Sequence, residues 1–131
     1  LVRRVLSGRG MPTINNVVDA YNLASAETSV ALAAFDADKT RGSVRMRFAS
    51  KGEGFLGIGM TEPKQLNGNE IVLCDGENLV AVYPYRDAES SKIDSTTKSL
   101  WLLMCGVPGL TEELLVEAER VAADYIVRFC R

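Results

Sequence analysis

The sequence predicts an α+β fold, a layered sandwich in which helices flank a mixed β-sheet. Near each end of the chain, apolar residues recur at the three- and four-residue spacing of an amphipathic helix. Between these helices, short segments are either continuously apolar or alternate strictly between apolar and polar, as strands do. A chain of 131 residues fits one domain, residues 1–131, and is long enough to bury a substantial core.

The first helix is predicted to follow Pro12, after an N-terminal arm or strand end over residues 1–11. Thr13 is its expected N-cap, because a threonine hydroxyl accepts a hydrogen bond from a free amide of the first turn. Asparagine forms helices poorly, so its repeated use favours either capping and solvent exposure or the wall of a hydrogen-bonding pocket. One stripe of this helix is apolar, with Ile14, Val17, Val18 and Tyr21, and a second is polar, with Asn15, Asp19 and Asn22.

Two strands and a turn are predicted next. Residues 30–35 are continuously apolar, which is typical of a buried strand, and residues 36–39 contain two aspartates that favour a turn. Residues 43–48 alternate, so we expect one face with Val44, Met46 and Phe48 to be buried and the arginine face to be exposed. The basic group beside this strand indicates either ordinary solvated charge or contacts with RNA phosphates. Its members are Lys39, Arg41, Arg45 and Arg47.

The second half of the chain predicts further strands and a closing helix. Residues 51–69 are rich in glycine and favour loops and short strands. Residues 70–74 and 79–83 are a predicted hairpin, and the strongest apolar run, residues 100–105, is a predicted central strand. The closing helix should start after Thr111 and bury a stripe that consists of Leu114, Leu115, Ala118, Val121, Ala122, Tyr125, Ile126 and Phe129.

Composition restricts the chemistry. The chain contains no histidine, the commonest acid–base residue and metal ligand, and its net charge of −2 argues against avid non-specific binding to nucleic acid. Cys74, Cys105 and Cys130 form no C-x-x-C pair, and we expect Cys74 and Cys105 to be small buried residues in a cytoplasmic protein. No apolar run is long enough to span a membrane. We therefore expect no metal, no cofactor, no membrane association and no DNA partner.

Two short motifs have ordinary explanations. Residues 52–57 satisfy G-x-G-x-x-G, but the residues that follow cannot comfortably start the helix that a dinucleotide site needs, so a glycine-rich loop or bulged strand is favoured. Residues 95–98 satisfy S-x-x-K without the partner motifs of a serine acyl-enzyme. The charged stretch from Arg86 to Glu89 lies between two apolar strands, which favours either a site at the strand ends or a surface ion pair.

Taken in order and with near-gapless spacing, several segments resemble the B3/B4 domain, the tRNA-editing module of the phenylalanyl-tRNA synthetase beta subunit, and in particular its freestanding relatives. The resemblance covers residues 13–107, most of the chain. It is carried by VDAYN at 18–22, AFDADK at 34–39, residues 42–49, EIV at 70–72 before Asp75, and Arg86-Asp87 followed by a threonine-rich turn. It implies a three-layer α+β sandwich.

The resemblance also implies an activity and a set of site residues. In the synthetase the module hydrolyses tyrosine wrongly attached to phenylalanine tRNA, and freestanding relatives are thought to clear other mischarged tRNAs. The family's pocket asparagine corresponds to Asn22, its tyrosine-recognising glutamate to Glu89 and its pocket histidine to Ala33. The loss of that histidine puts tyrosine-specific editing in doubt. The expected substrate-binding residues are Tyr21, Asn22, Ala33, Arg86, Asp87 and Glu89.

Three functions remain open from the sequence. The first is hydrolysis of mischarged aminoacyl-tRNA in trans, with Asn22 orienting the water or the carbonyl and with Glu89 or Asp87 holding the substrate ammonium. The second is a non-catalytic module that binds tRNA or an amino acid, and the third is a structural interaction domain of a larger protein. Because the chain begins with Leu1, we expect it to be a fragment of a longer product, with residues 1–11 as a remnant of its N-terminal part.

Overall fold

The computed structural model describes residues 1–76 and 78–130, apart from the side chain of Val2. Along the described chain the α-helices come first and last and short antiparallel strands lie between them in sequence, which confirms the predicted α+β class. The chain divides into two compact units, one formed by Leu1–Ala34 with the chain from Leu102 onward and one formed by Phe35–Trp101. The elements are α1 (Val2–Leu6), α2 (Asn16–Thr28), β1 (Leu32–Asp36), β2 (Val44–Phe48), β3 (Gly54–Phe55), β4 (Lys64–Gln65), β5 (Ile71–Asp75), β6 (Asn78–Val82), β7 (Arg86–Asp87), a 3₁₀ turn (Glu89–Ser91), β8 (Leu100–Met104) and α3 (Glu112–Phe129).

The first unit is built around the packing of α2 against α3. Small residues at this contact, Ala24 and Ala122, are completely buried and allow the helices to approach closely. Val121 completes the cluster, and Leu32 of β1, Leu102 of β8 and Tyr125 of α3 pack against it. Thr111 caps α3 as predicted, since its hydroxyl accepts a hydrogen bond from the Leu114 amide at 3.4 Å. The predicted stripe is wrong at its ends, where Leu114 and Phe129 are exposed.

The start of α2 differs from the prediction. Asn15, not Thr13, is the N-cap: its Oδ1 accepts a hydrogen bond from the Val18 amide at 2.9 Å. Asp19 reaches back in the same way, because its Oδ1 accepts from the Ile14 amide at 2.9 Å. The amides of Ile14 and Val18, which have no helical carbonyl as a partner, are both hydrogen-bonded by these side chains. The N-cap therefore lies at Asn15, two residues after the predicted Thr13.

Two further boundaries in this unit also differ. The expected strand end within residues 1–11 is wrong, since α1 forms there and is closed by the bonds from Val5 N to Leu1 O and from Ser7 N to Arg3 O, at 3.0 and 3.2 Å. Leucine and arginine favour this helix, and Gly8, with φ 74°, follows its end. The first strand starts two residues late, at Leu32, because Ser29 adopts the left-handed conformation that ends α2.

The second unit contains a four-stranded sheet in the order β2-β5-β6-β7 and the two-stranded β3-β4 pair. The predicted hairpin is confirmed as β5 and β6, which pair antiparallel with an irregularity at Leu73/Cys74. Its core cluster combines residues of the sheet with residues of the glycine-rich segment, which does form the expected loops and short strands. The cluster consists of Ala49, Phe55, Leu66, Val72 and Ala88, with Leu79 and Val82 packed against it.

The predicted burial of β2 is wrong for Met46, Phe48 and Arg47, whereas Val44 is half-buried and Arg45 is exposed. Met46 and Phe48 are 54% and 67% exposed, whereas Arg47 pairs with Val72 of the core cluster and therefore lies on the covered face of the sheet. Strict alternation separates two faces of a strand but does not say which one is covered. The predicted central strand is wrong as well, since β8 pairs only with β1 in a two-stranded sheet of the described residues.

The cap of α2 gives a testable stability difference. Replacing Asn15 with alanine removes the acceptor for the Val18 amide, and we expect a loss of about 1 kcal/mol in the free energy of unfolding. Asn16→Ala is the matched control: this exposed asparagine lies one position inside the helix, where alanine has the higher helix propensity. Chemical denaturation of both variants measures the difference. Equal destabilisation by the two would show that Asn15 does not act as the cap.

Candidate functional site

The residues expected to bind substrate divide between the two units. Tyr21, Asn22 and Ala33 belong to the first unit, and Arg86, Asp87 and Glu89 belong to the second. Each group is therefore characterised within its own unit.

In the first unit, Asn22 lines a cavity of about 520 Å³. The half-buried Asn22 and Ser25, one turn apart on α2, present the polar wall, and the side-chain amide of Asn22 has no hydrogen bond to any described residue. Tyr21 is buried and does not line the cavity, and neither does the buried Ala33. The remaining walls are mainly apolar and come from Leu1, Val5, Leu6, Met11, Ala26, Val30, Ala31 and Leu32, with Ser29 at the end of the helix.

In the second unit, β7 is fixed along both of its edges. On one side it pairs with β6, with Ala81 opposite Asp87 and Val82 opposite Arg86. On the other side the Ile58 amide donates to the carbonyl of Asp87 at 2.9 Å. Because successive side chains of a strand point to opposite faces, Arg86 and Asp87 do not share one pocket wall.

Asp87 is the chemically distinctive residue of this group. Its side chain is half-buried, and burial raises the pKa of its carboxyl group from 3.8 to about 6. Within residues 1–76 and 78–130, no hydrogen bond or ion pair reaches this carboxylate to offset the loss of hydration. Although the chain has no histidine, it therefore holds a carboxyl group whose pKa is about 6.

Glu89 has a different environment. Lys92 donates a short hydrogen bond to the Glu89 carboxylate, and this ion pair lowers the pKa of the glutamate. Glu89 lines a separate cavity of about 420 Å³, together with Glu53, Asn78 and Ser90. Sequence reasoning missed Lys92, although its spacing of three residues from Glu89 was a usable signal.

The predicted basic group is only partly free. The ammonium of Lys39 lies 2.6 Å from Asp94 Oδ2 and 3.2 Å from Asp36 Oδ2, and the guanidinium of Arg47 makes two bonds to the Glu53 carboxylate, at 2.5 and 2.9 Å. Arg41 and Arg45 are exposed and have no ion pair within the described residues. Two of the four expected phosphate contacts are thus already neutralised inside the protein.

The carboxylate of Asp36 helps to hold the turn after β1, as expected, whereas Asp38 is exposed. Asp36 Oδ1 accepts from the Asp38 amide at 3.0 Å, and the hydroxyl of Thr97 donates to Asp36 Oδ2 at 2.7 Å. In the described part of the chain, no cluster of three acidic, cysteine or histidine residues is arranged to hold a metal ion. Cys74 and Cys105 are buried, as predicted.

The G-x-G-x-x-G sequence at 52–57 runs through β3 and is not followed by a helix. None of the described helices is long and apolar enough to cross a membrane.

Comparison with known proteins gives a consistent result. The family model of the B3/4 domain matches residues 1–130. The chain is 38% identical to the phenylalanine-tRNA ligase beta subunit of Geobacter metallireducens over 103 residues, which are 78% of this chain and 13% of that protein. It is 31% identical to the corresponding subunit of Fusobacterium nucleatum over 93 residues, 71% of this chain and 12% of that protein. The matched part of the chain thus spans about an eighth of the length of these relatives.

A solved structure shows the same fold. An N-terminal fragment of the phenylalanyl-tRNA synthetase beta subunit from Pyrococcus horikoshii superposes with a TM-score of 0.71, although the sequences are only 18% identical. The superposition covers 86% of this chain and 39% of that fragment.

The Arg47–Glu53 pair predicts how stability depends on pH. The pair lowers the pKa of Glu53 from 4.5 to about 2, so its contribution is complete above about pH 4.5 and is lost as the pH falls toward 2. We expect Glu53→Gln to cost about 1 kcal/mol at pH 7, since the pair is partly exposed, and to remove this part of the acid sensitivity. Urea denaturation at pH 7, 4 and 2.5 measures both effects.

The control for this prediction is Glu117→Gln. Glu117 makes the same two-bond contact with Arg120, but both side chains are at least half exposed, so solvent screens the pair. An equal pH-dependent loss in the two variants would contradict the prediction.

Proposed function

The chain belongs to the B3/4 domain family, and on that premise we propose that it hydrolyses mischarged aminoacyl-tRNA in trans. In this reaction water adds to the carbonyl carbon of the aminoacyl ester and the bond to the ribose oxygen breaks. The products are the free amino acid and the tRNA with its terminal hydroxyl restored. The ester is already activated, so positioning the water and the ester supplies much of the rate enhancement.

One observation carries the proposal: the half-buried Asp87 carboxylate has no partner among the described residues. A desolvated carboxylate without a partner costs stability, and such groups are concentrated at functional sites. A substrate ammonium supplies a counter-charge and donates hydrogen bonds to the carboxylate oxygens. We assign Asp87 this role, which it performs in its ionised form, above a pH of about 6.

Glu89 is the weaker candidate for the same role. Its carboxylate is already paired with Lys92, so an incoming ammonium has to displace a cation of the protein itself. The pair also supports a substrate other than tyrosine, because the glutamate that matches the tyrosine-recognising residue of the family is neutralised. Ala33, at the position that corresponds to the family's histidine, also supports a substrate other than tyrosine.

Independently of the role assigned to Asp87, we propose Asn22 as a group that positions an ester bound in the cavity of the first unit. Its amide is half-buried on a cavity wall and makes no bond to described residues, so it is available to donate to a carbonyl oxygen or to orient water. Helix α2 holds it rigidly, since the helix is capped at Asn15 and packed on α3. The tRNA is the proposed partner, and this substrate implies a cytoplasmic location.

A non-catalytic module that binds tRNA or an amino acid is the second candidate. The absence of histidine from the whole chain favours it, because hydrolysis then depends on positioning alone. Binding of charged tRNA without release of amino acid, at any pH from 5 to 7.5, would favour this candidate over hydrolysis.

The role of Asp87 predicts a pH profile. In the wild type we expect kcat/KM for deacylation of a mischarged tRNA to rise as the pH increases through about 6, because only the ionised carboxylate holds the ammonium. Asp87→Asn should lower kcat/KM at pH 7 by roughly 10- to 100-fold, the value of a charged hydrogen bond. The rise near pH 6 should also disappear. Release of labelled amino acid at pH 5 to 7.5 is the measurement.

The control is Asp38→Asn, which changes an exposed aspartate of a turn. An unchanged pH profile in Asp87→Asn, or an equal loss in Asp38→Asn, would remove Asp87 from the proposed site.

The role of Asn22 predicts a loss in kcat. Asn22→Ala removes a donor to the ester carbonyl, and removal of such a donor costs about 100-fold or more in kcat in characterised enzymes. Asn16→Ala alters an exposed asparagine at the start of the same helix and should leave kcat unchanged. Single-turnover deacylation with enzyme in excess separates this effect from binding. A change in KM alone would show that Asn22 contributes binding and not positioning of the reacting ester.

A further inference from the structure

The second unit contains a groove where an exposed aromatic ring and two cations meet. Its volume is about 470 Å³. The side chains of Phe55, Met60, Leu66 and Val82 supply apolar walls, and Lys64, Tyr85 and Arg86 bring polar or charged groups to it. Neither Lys64 nor Tyr85 was singled out from the sequence.

Tyr85 is the most exposed large aromatic side chain of the described residues. Its side chain is 85% exposed, so packing inside the protein does not explain a ring at this position. Its backbone is fixed, because the Tyr85 amide donates to the carbonyl of Val82 at 2.8 Å and closes the turn between β6 and β7. A fixed backbone with an exposed ring provides a flat apolar surface for a ligand.

Arg86 is held in place without being neutralised. Its Nη1 donates to the carbonyl of Ile58 at 3.1 Å, and its aliphatic stem lies against Gly57 so closely that a Cβ there would be 2.3 Å from Arg86 Cδ. Unlike Arg47, whose guanidinium is taken by Glu53, Arg86 has no ion pair within the described residues. A cation fixed in this way keeps its charge available to an anion.

The charges of the groove favour an anion as its ligand. Lys64 is exposed on β4 and has no ion pair with any described residue. Glu70 is the acidic residue of the lining, and its carboxylate accepts hydrogen bonds from the amides of Asn67 and Gly68, at 3.0 Å each. Two cations thus remain available, and the acidic group is engaged in holding its own turn.

We propose that this groove binds an unpaired nucleotide of an RNA strand, with the base stacked on Tyr85 and the phosphates contacted by Lys64 and Arg86. Aromatic rings beside cations are the general means by which proteins bind single-stranded nucleic acid, because every base has a face that stacks. The inference depends on the proposed function only for the identity of the RNA: the 3′ end of a tRNA is unpaired and carries the aminoacyl group.

The test measures binding of a labelled five-nucleotide RNA ending in CCA, and of uncharged tRNA, by fluorescence anisotropy. We expect Tyr85→Ala to weaken binding of both by roughly 5- to 100-fold, the range for loss of one stacked base. Tyr85→Phe should bind nearly as well as the wild type, since stacking needs the ring and not the hydroxyl. Phe48→Ala is the matched control, because it removes another exposed aromatic ring of the second unit.

The cations are tested through salt dependence. Lys64→Gln and Arg86→Gln should each reduce the slope of log affinity against log salt concentration by about 0.7, the value for one phosphate contact to a single strand. Lys51→Gln, at an exposed lysine outside the groove, should leave it unchanged. Gly57→Ala should weaken binding while keeping both charges, since its Cβ displaces the Arg86 side chain.

Equal weakening by Tyr85→Ala and Phe48→Ala, or none by Tyr85→Ala, would overturn the proposal. Thermal unfolding of each variant identifies any that fail to fold, and Tyr85→Phe provides the folded comparison. Because uncharged RNA is used, the result does not depend on hydrolysis. If Tyr85→Ala weakens RNA binding but the wild type does not deacylate any tRNA, the groove proposal stands and the proposed hydrolysis is wrong. If the wild type deacylates tRNA but Tyr85→Ala does not weaken RNA binding, only the groove proposal is wrong.

Discussion

The hydrogen bonding of β7 is the constraint on which the chemistry of the second unit depends. The strand is held by β6 on one side and by the segment near Ile58 on the other. Because the backbone is hydrogen-bonded along both edges, the register of β7 cannot shift, and the side chains of Arg86 and Asp87 must point to opposite faces. One short strand therefore supplies a carboxylate to one environment and a cation to another.

Ion pairing then decides which charged groups remain available. Lys92 neutralises Glu89, and Glu53 neutralises Arg47. On β7 this leaves a half-buried carboxylate at Asp87 and an anchored cation at Arg86, each without an ion-pair partner within residues 1–76 and 78–130. A charge that the fold leaves unpaired is free to bind a ligand, whereas a paired charge first has to break its pair.

The sequence predicted those features that depend on neighbours along the chain. The helices α2 and α3, the turn after β1 and the β5–β6 hairpin follow from local periodicity, capping and turn residues. It failed at two local features, the N-cap of α2 and the helix α1, and it failed where the outcome depends on distant contacts. The covered face of β2 is set by a core cluster that includes Phe55 and Leu66, and Lys39 pairs with an aspartate 55 positions away. Alternation and spacing contain no information about such partners.

The unpaired Asp87 also has a thermodynamic consequence that supports a functional role. Its folded-state pKa of about 6 lies above the ordinary 3.8, so the folded chain binds its proton more tightly than the unfolded chain. The free energy of unfolding therefore decreases as the pH rises from 3.8 to 6, and the ionised carboxylate still destabilises the fold at neutral pH. An apolar residue would avoid this cost, and a nearby lysine would offset it, as Lys92 does for Glu89. The fold holds the buried carboxylate of Asp36 with a threonine, a lysine and a backbone amide, whereas the equally buried Asp75 accepts a bond from the Arg41 amide at Oδ2 and has no partner for Oδ1 among the described residues. That the fold leaves Asp87 without such partners is what a group reserved for a substrate cation requires.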